Sequence, residues 1–384
     1  MSKRISAGAG LLLAAGLLLG ESPAGQAQTL IDTIRAVGKE GKGNAEAAKA
    51  WKSLVAMGPA ALGPILDALN DEEVVAGNWL QPAFEAVAEK AAADGKLSTG
   101  VLEKTLADTK KANRARSLAY AWLVKQDKTT PSRLLPGMLP DPAPDLRRLA
   151  VEDAVQRAEA MAAKDDKDKG AKELYRKAFR AAGDPEQVES IGKTRAKLGD
   201  KADVAKQLGV VTRWNLVTPF DNGKGKGFDV AYAPEKGVDL AATYEGKDGK
   251  AGTWVEHTTA DPQGLVDLKK VLGPLKGTVA YASAAVEMPE ARTVTLRAGC
   301  INAMKIFVNG KQVFAREEYH HGTKIDQYAV RVPLAKGKNE ILVKVCQNEQ
   351  NEPWAQAWGF QLRICDTVGC GVAFTQPGPK KEDK

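Results

Sequence analysis

The 384-residue sequence contains only three histidines and four cysteines. His257, His320, His321 and all the cysteines, of which Cys300 is the first, lie in the C-terminal half. The cysteine spacing matches no common zinc-ligand pattern, so we predict no metal and no other cofactor. No nucleophile or paired carboxylate stands at a spacing that indicates catalysis. We therefore predict no catalytic residue and a protein that is not an enzyme.

Long apolar runs are also missing. The run Leu11–Leu19 is too short to span the roughly 30 Å hydrocarbon core of a bilayer, so we expect no transmembrane segment in the mature chain. The run follows a basic start and precedes the small residues Gly25 and Ala27, a pattern typical of a signal peptide. We predict a signal peptide over residues 1–27 and a secreted or periplasmic protein, with a retained membrane anchor as the alternative.

Positive charge is present but not concentrated. The net charge is +7, and the excess is spread over both halves of the chain. A nucleic-acid-binding protein usually concentrates its basic residues on one face. The sequence therefore argues against a nucleic-acid partner.

From about Leu30 to Leu208 the apolar residues recur at steps of three and four, which predicts amphipathic helices. Gly58-Pro59 divides the first stripe into two helices, because proline is tolerated in the first turn of a helix. The clearest members of that stripe are Ala47, Trp51, Leu54, Val55, Ala61, Leu62, Ile65, Leu66 and Leu69.

The segment Asp141–Val151 carries a repeat signal. Its two prolines predict an extended entry, Asp145 is a candidate N-cap, and the helix is expected to begin at Leu146. This segment resembles the HEAT repeat, in which a short Asp-Pro turn precedes an Arg-Ala-rich inner helix, and Gly58–Asp71 resembles part of another repeat. The resemblance implies an α-solenoid with a binding surface. An ordinary helical domain without a binding groove is the alternative.

The pattern changes near Gly209 to short strands with alternating apolar residues. Asn309-Gly310 is a strong hairpin signal, since both residues tolerate the left-handed turn that joins two strands. In several strands, polar neighbours such as Lys344 and Arg363 alternate with the apolar residues. One apolar face per strand predicts antiparallel sheets packed around one core, a β-sandwich or jelly roll.

This region resembles the galactose-binding-like jelly roll, the non-catalytic sugar-binding domain of many glycoside hydrolases. The layout of the whole chain is similar to that of secreted bacterial proteins with HEAT-like repeats before such a domain. The matching positions of the jelly roll are Val308–Lys311, Pro333-Leu334, Gly337, Asn339, Ile341–Val345 and Trp358–Phe360.

We thus predict a multidomain chain, α then β, with an N-terminal α-solenoid before an antiparallel β-sandwich. The helical repeat domain is assigned to residues 28–209 and the sandwich to residues 210–375. Residues 376–384 are predicted to be a disordered tail of basic and acidic residues.

Candidate sugar-binding residues lie in two polar loops. Exposed aromatic rings can stack on sugar rings while amides and imidazoles bind the hydroxyls. The candidates are Trp354, Tyr319, His320, His321, Gln356, Asn348 and Asn351. The same histidines with Asp326 are a weaker candidate for an acid–base group of a hydrolase.

Cys365 and Cys370 flank a four-residue turn and are a candidate disulfide, with free buried thiols as the alternative. For the function we predict a non-enzymatic scaffold or interaction protein. Its partner is expected to be a protein or a cell-envelope glycan. A carbohydrate-binding module on a helical stalk is the alternative.

Overall fold

The computed structural model of the protein describes residues 22–165 and 168–378. Most of the predicted signal peptide, residues 1–21, and residues 379–384 of the predicted tail lie outside the described residues. The described chain is helical up to Leu208 and rich in strands from Arg213 onward, which confirms the predicted order of an α region and a β region. It forms two compact units, the first ending at Lys128 and the second beginning at Thr129.

The first unit is built of helices that bury their apolar stripes. Its α-helices are α1 (Pro23–Arg35), α2 (Asn44–Ala56), α3 (Leu62–Ala68), α4 (Val74–Ala93), α5 (Thr99–Ala107) and α6 (Asn113–Gln126). Helix α1 begins before the predicted cleavage position, because the Ser22 hydroxyl caps it by accepting from the Gly25 amide at 3.2 Å. Ala27 is fully buried within this helix.

The second unit begins with further helices. They are α7 (Thr130–Leu134), α8 (Pro144–Ala162), α9 (Lys169–Ala181), α10 (Pro185–Lys197) and α11 (Val204–Leu208), followed by the short α12 (Ala233–Lys236) and α13 (Leu268–Leu272) within the β region. The predicted N-cap at Asp145 is wrong. Helix α8 starts at Pro144, and the Asp141 carboxylate organises the preceding turn by accepting from the Ala143 amide at 2.8 Å.

The strands of the second unit form two larger antiparallel sheets and one small one. The strands are β1 (Arg213–Asp221), β2 (Thr243–Glu245), β3 (Ala251–Thr253), β4 (Val255–Thr258), β5 (Val266–Asp267), β6 (Thr278–Met288), β7 (Arg292–Cys300), β8 (Ala303–Val308), β9 (Lys311–Arg316), β10 (Tyr328–Leu334), β11 (Gly337–Gln347) and β12 (Gly359–Cys365). The six-stranded sheet has the order β4-β1-β6-β11-β8-β9, and the four-stranded sheet has the order β10-β7-β12-β5. Strands β2 and β3 form a separate pair.

One hydrophobic core contains residues from both larger sheets, as expected for a sandwich. Alternate residues of each strand enter it, for example Ile341, Val343 and Val345 of β11. Trp214 of β1 meets Phe360 of β12 edge to face, with ring centroids 5.0 Å apart. The two predicted inward faces therefore pack on each other.

The other face of each sheet is also covered, which the alternating pattern did not predict. Lys344, expected to be solvent-exposed, is fully buried, and its ammonium donates to the Phe228 and Val230 carbonyls at 3.0 and 2.7 Å and to Glu235 at 2.9 Å. Arg363 on the second sheet is 1% exposed. Chain segments outside the sheets cover both residues, and a period of two cannot reveal such a cover.

The hairpin between β8 and β9 agrees with its sequence signal. Asn309 and Gly310 have φ values of 48° and 78°, so both are left-handed, as a two-residue turn of this type requires. After β12, the C-terminal segment returns to the start of β1. The Gln376 side chain accepts from the Thr212 and Arg213 amides, each at 3.0 Å, and donates to the Arg213 carbonyl at 2.8 Å.

Candidate functional site

Four connections meet at one edge of the β region. They follow β1, join β7 to β8, join β9 to β10, and join β11 to β12. Hydrogen bonds link them through Asn222, Asn302, His320 and Asn348. Residues far apart in the sequence therefore form one surface.

Three buried amides form the floor of this surface. Asn302, 1% exposed, donates to the Gln347 side-chain oxygen at 3.0 Å. Asn222, fully buried, donates to the Gln347 carbonyl at 3.0 Å and to the Tyr319 hydroxyl at 3.3 Å. A buried polar network of this kind fixes the geometry of the groups above it. No local sequence pattern connects these residues, so the sequence alone does not predict them.

His320 is fixed by its backbone and by its ring. Its φ of 57° is left-handed, and its amide donates to the Asn302 side-chain oxygen at 3.1 Å. Its Nε2 lies 2.7 Å from Oδ1 of Asn348. The backbone turn and the ring contact together point the imidazole toward Trp354.

Trp354 is the exposed aromatic residue of the surface, with 62% of its area accessible. Its ring stands edge to face against His320, with centroids 5.5 Å apart. The short 3-10 helix Pro353–Ala355 carries it. Buried Ala355 anchors that helix, since its carbonyl accepts from the Lys276 ammonium at 2.7 Å.

Tyr319 lies beside His320, with ring centroids 6.3 Å apart. Burial raises the pKa of its hydroxyl to about 12, whereas the hydrogen bond from Asn222 lowers it. The hydroxyl is therefore neutral near pH 7. It can offer a proton to a ligand while it accepts from Asn222.

The structure brings four of the seven predicted sugar-binding residues together, namely Tyr319, His320, Asn348 and Trp354. We call these four residues the aromatic loop cluster. The other three predicted residues have no described contact with this cluster. His321 contacts Gln327 and Tyr328. Gln356 donates to the Asn351 and Glu352 carbonyls of its own loop, and the Asn351 side chain is exposed.

His320, His321 and Asp326 do not form a set. One carboxylate oxygen of Asp326 forms ion pairs with Arg297 at 3.1 Å and with Arg363 at 2.9 Å, and not with either histidine. In residues 22–165 and 168–378 no group of three or more His, Cys, Asp or Glu side chains is placed to hold a metal ion. The predicted set of His320, His321 and Asp326 is therefore not assembled.

The four cysteines are free thiols, and the candidate disulfide between Cys365 and Cys370 is not formed. Cys365 pairs across the turn with Gly371, so Cys370 is one residue out of register. The Cys370 sulfur instead accepts from the Arg147 guanidinium at 2.9 Å.

Comparison with known proteins gives no family. No protein-family model and no curated protein matches the chain. Within the part of the chain that the structure describes, no helix is both long and apolar enough to cross a membrane.

Several solved structures show distant similarity. A GH31 alpha-xylosidase from Xanthomonas citri is 13% identical over 42% of this chain and 20% of its own length, with a TM-score of 0.21. A PA14 sugar-binding domain from an RTX adhesin is 14% identical over 44% of this chain and 96% of its own, with a TM-score of 0.22. A beta-glucosidase from Kluyveromyces marxianus is 9% identical over 74% of this chain and 35% of its own, with a TM-score of 0.25.

Proposed function

We propose that the aromatic loop cluster binds carbohydrate. The exposed indole of Trp354 carries this proposal. An aromatic face in water offers a stacking surface to the C–H groups of a sugar ring. The surrounding polar groups of Tyr319, His320 and Asn348 supply hydrogen-bond donors and acceptors for hydroxyls.

The rigidity of the cluster supports the same proposal. Buried Asn222 and Asn302 hold Tyr319 and His320, so little side-chain freedom remains to be lost when a ligand binds. The Trp354 ring is braced by His320 and is still 62% exposed. Its large exposed area remains for a ligand.

The test is a glycan array followed by titration of tryptophan fluorescence. We expect Trp354→Ala to weaken binding by at least about tenfold, since truncating a central aromatic contact costs roughly 2 kcal/mol or more. Trp354→Phe should retain part of the affinity. Leu240→Ala, at a side chain that is 45% exposed and outside the cluster, is the control and should bind normally. Absence of glycan binding, or equal affinity of Trp354→Ala and the unmodified protein, would refute the proposal.

A protein-binding role of the helical repeats is a second proposal. Val74 and Val75 are adjacent in the first turn of α4 and are 56% and 52% exposed. Two adjacent exposed valines offer an apolar contact that a protein partner can bury. Crosslinking in the cell envelope should recover a partner that the Val74→Glu/Val75→Glu double variant loses and that Leu149→Glu retains. Equal recovery by all three proteins would exclude this surface.

We also propose that the protein is exported and is not an enzyme. Sequencing of the mature N-terminus should give Gln28, as expected for cleavage after Ala27. A cytoplasmic protein that retains residues 1–27 would contradict export. Robust hydrolysis of glycans or peptides by the purified chain would contradict the second part.

A further inference from the structure

A cleft of about 630 Å³ lies within the second unit, away from the aromatic loop cluster. The ends of α9 and α10, helix α11, the start of β1 and the C-terminal segment form its walls. This volume is in the range of small-molecule sites, roughly 300–1,000 Å³.

Basic side chains dominate the walls of the cleft. Arg180, Arg195, Lys206 and Arg213 line it, and Asp203 is the only carboxylate among its described lining residues. Asp203 is engaged as the N-cap of α11, since its oxygen accepts from the Lys206 amide at 2.9 Å. The lining therefore carries a local excess of positive charge.

The carboxylates outside the cleft do not cancel this charge fully. Arg213 faces Glu256 at 3.6 Å, and the Glu256 side chain is 46% exposed. Arg180 faces Glu173 at 3.3 Å, and both side chains are about half exposed. Ion pairs this exposed are screened by water and contribute little. Both guanidiniums thus remain able to attract an anion, although Arg213 also donates to the Pro377 carbonyl.

Lys206 is the clearest free cation. It is exposed, and among the residues that the structure describes no carboxylate lies within ion-pair distance of its ammonium. Arg195, in contrast, is not available to an anion, because its guanidinium forms an ion pair with Asp200 at 2.8 Å. Arg195 lines the cleft by packing on Phe179, with its guanidinium carbon 4.9 Å from the ring centroid.

We propose that this cleft binds a small organic or inorganic polyanion through Lys206 and Arg213, with Arg180 at its edge. Guanidinium and ammonium groups recognise carboxylate and phosphate oxygens by charge-assisted hydrogen bonds. Half-buried Phe374 lines the same cleft and provides an apolar contact for the body of the ligand. The site is independent of carbohydrate binding at Trp354.

The basic residues of the cleft could instead serve to stabilise the fold, which is the competing explanation for their clustering. Arg180, Arg195 and Lys206 each lie in the last turn of a helix, where cations interact favourably with the helix dipole. That role predicts a loss of stability when Lys206 is replaced, with no change in anion binding. Arg213 lies at the start of β1, outside any helix, and its guanidinium donates to the Pro377 carbonyl, so its structural role is to hold the C-terminal segment.

The experiment is isothermal titration calorimetry of the full chain with inorganic pyrophosphate and, separately, with citrate. The two probes distinguish a phosphate ligand from a carboxylate ligand. We expect at least one to bind, and Lys206→Glu to weaken that binding by about tenfold or more, because it replaces attraction by repulsion at close range. Arg213→Gln should weaken it as well.

Lys311→Glu is the matched control, because it makes the same change in net charge on the β9 side of the six-stranded sheet. It should bind the probe like the unmodified protein. The proposal is overturned if neither anion binds, or if Lys206→Glu and Lys311→Glu have equal affinities. A lower melting temperature of Lys206→Glu with unchanged affinity would likewise overturn it in favour of the helix-dipole role.

Discussion

The Nε2 atom of His320 lies 2.7 Å from Oδ1 of Asn348. The Asn348 amide is itself oriented by Gln350, which accepts from its Nδ2 at 2.9 Å and donates its backbone amide to Oδ1 at 3.1 Å. Because Oδ1 is thus an acceptor, Nε2 of His320 carries a hydrogen and donates to it. Asn348 therefore sets the tautomer and the plane of the ring that braces Trp354.

His320 should act as a positioning residue for the Trp354 platform. We expect His320→Asn to weaken glycan binding by about two- to tenfold, since an edge-to-face aromatic pair contributes roughly 0.5–1.5 kcal/mol. Asparagine tolerates the left-handed backbone, so the loop should keep its fold. The measurement is the affinity for the glycan that the unmodified protein binds.

His321→Asn is the matched control for this prediction. His321 contacts Tyr328, with ring centroids 6.3 Å apart, and not Trp354. Its replacement should leave the affinity unchanged. Equal losses in the two variants would contradict a specific role of His320.

The four thiols should differ in reactivity. Burial raises the pKa of Cys300, Cys346 and Cys365 to about 12 each, so near pH 8 they carry almost no reactive thiolate. Cys370 is partly exposed, and although burial also raises its pKa, Arg147 opposes the increase. A thiol-disulfide reagent should label one thiol of the native protein and four of the unfolded protein.

Arg147→Gln should slow labelling of Cys370, because it removes the cation that favours the thiolate. The neighbouring Arg148→Gln is the control, since Arg148 pairs with Asp184 at 3.4 Å. Two or more thiols labelled rapidly in the native protein would contradict the assignment.

The buried ion pair of Lys344 and Glu235 should be costly to break. Lys344→Met leaves the Glu235 carboxylate, which also accepts from the Tyr281 hydroxyl, without its cation. We expect a loss of about 3–5 kcal/mol in the free energy of unfolding in urea. Lys344→Met with Glu235→Gln should recover part of this loss. A change below about 1 kcal/mol in the single variant would show that the charge is not buried as described.

Asp200 gives a pH-dependent contribution. The hydrogen bond from Arg195, followed by the one from Arg176, holds the pKa of its carboxyl below the usual 3.8. Because the folded-state pKa is the lower one, the stabilisation is complete above the unfolded-state pKa and disappears as the pH falls through the folded-state pKa. Asp200→Asn should thus lower the melting temperature at pH 6, with the difference shrinking below pH 3.8.

Glu290→Gln is the control for this pH dependence. Glu290 is 69% exposed and faces Arg292 at 3.8 Å, a weak surface contact. It should change the melting temperature little at either pH. A difference for Asp200→Asn that is constant with pH would contradict the electrostatic explanation.

Local sequence patterns predicted the strands of the sheets, but not the chain segments that cover the outer faces of the sheets. Strands such as β6 (Thr278–Met288) follow from the sequence because the apolar pattern of a strand is local. Whether Lys344 meets water depends on the segment around Phe228 and Glu235, more than 100 residues away. A strand pattern contains no information about such a cover.

For the candidate site, too, the sequence predicted the exposed loop residues but not the buried residues that hold them. Trp354, His320 and Asn348 were found because exposed aromatic and polar residues in loops are a recognisable combination. Asn222 and Asn302 are as important for the geometry, yet each is an ordinary polar residue in its own segment. Only the tertiary fold brings them under the loops.

The three contacts of Arg363 have a consequence for how the protein opens. Its guanidinium donates to the Leu208 carbonyl at 2.8 Å and the Gly369 carbonyl at 3.0 Å, and it contacts Asp326 at 2.9 Å. Separating α11 from the sheets would therefore leave a buried guanidinium N–H of Arg363 without its acceptor, the Leu208 carbonyl. In hydrogen exchange, the amides of α11 and β12 should become exposed in one cooperative event, although the sequence changes from helix to strand between them.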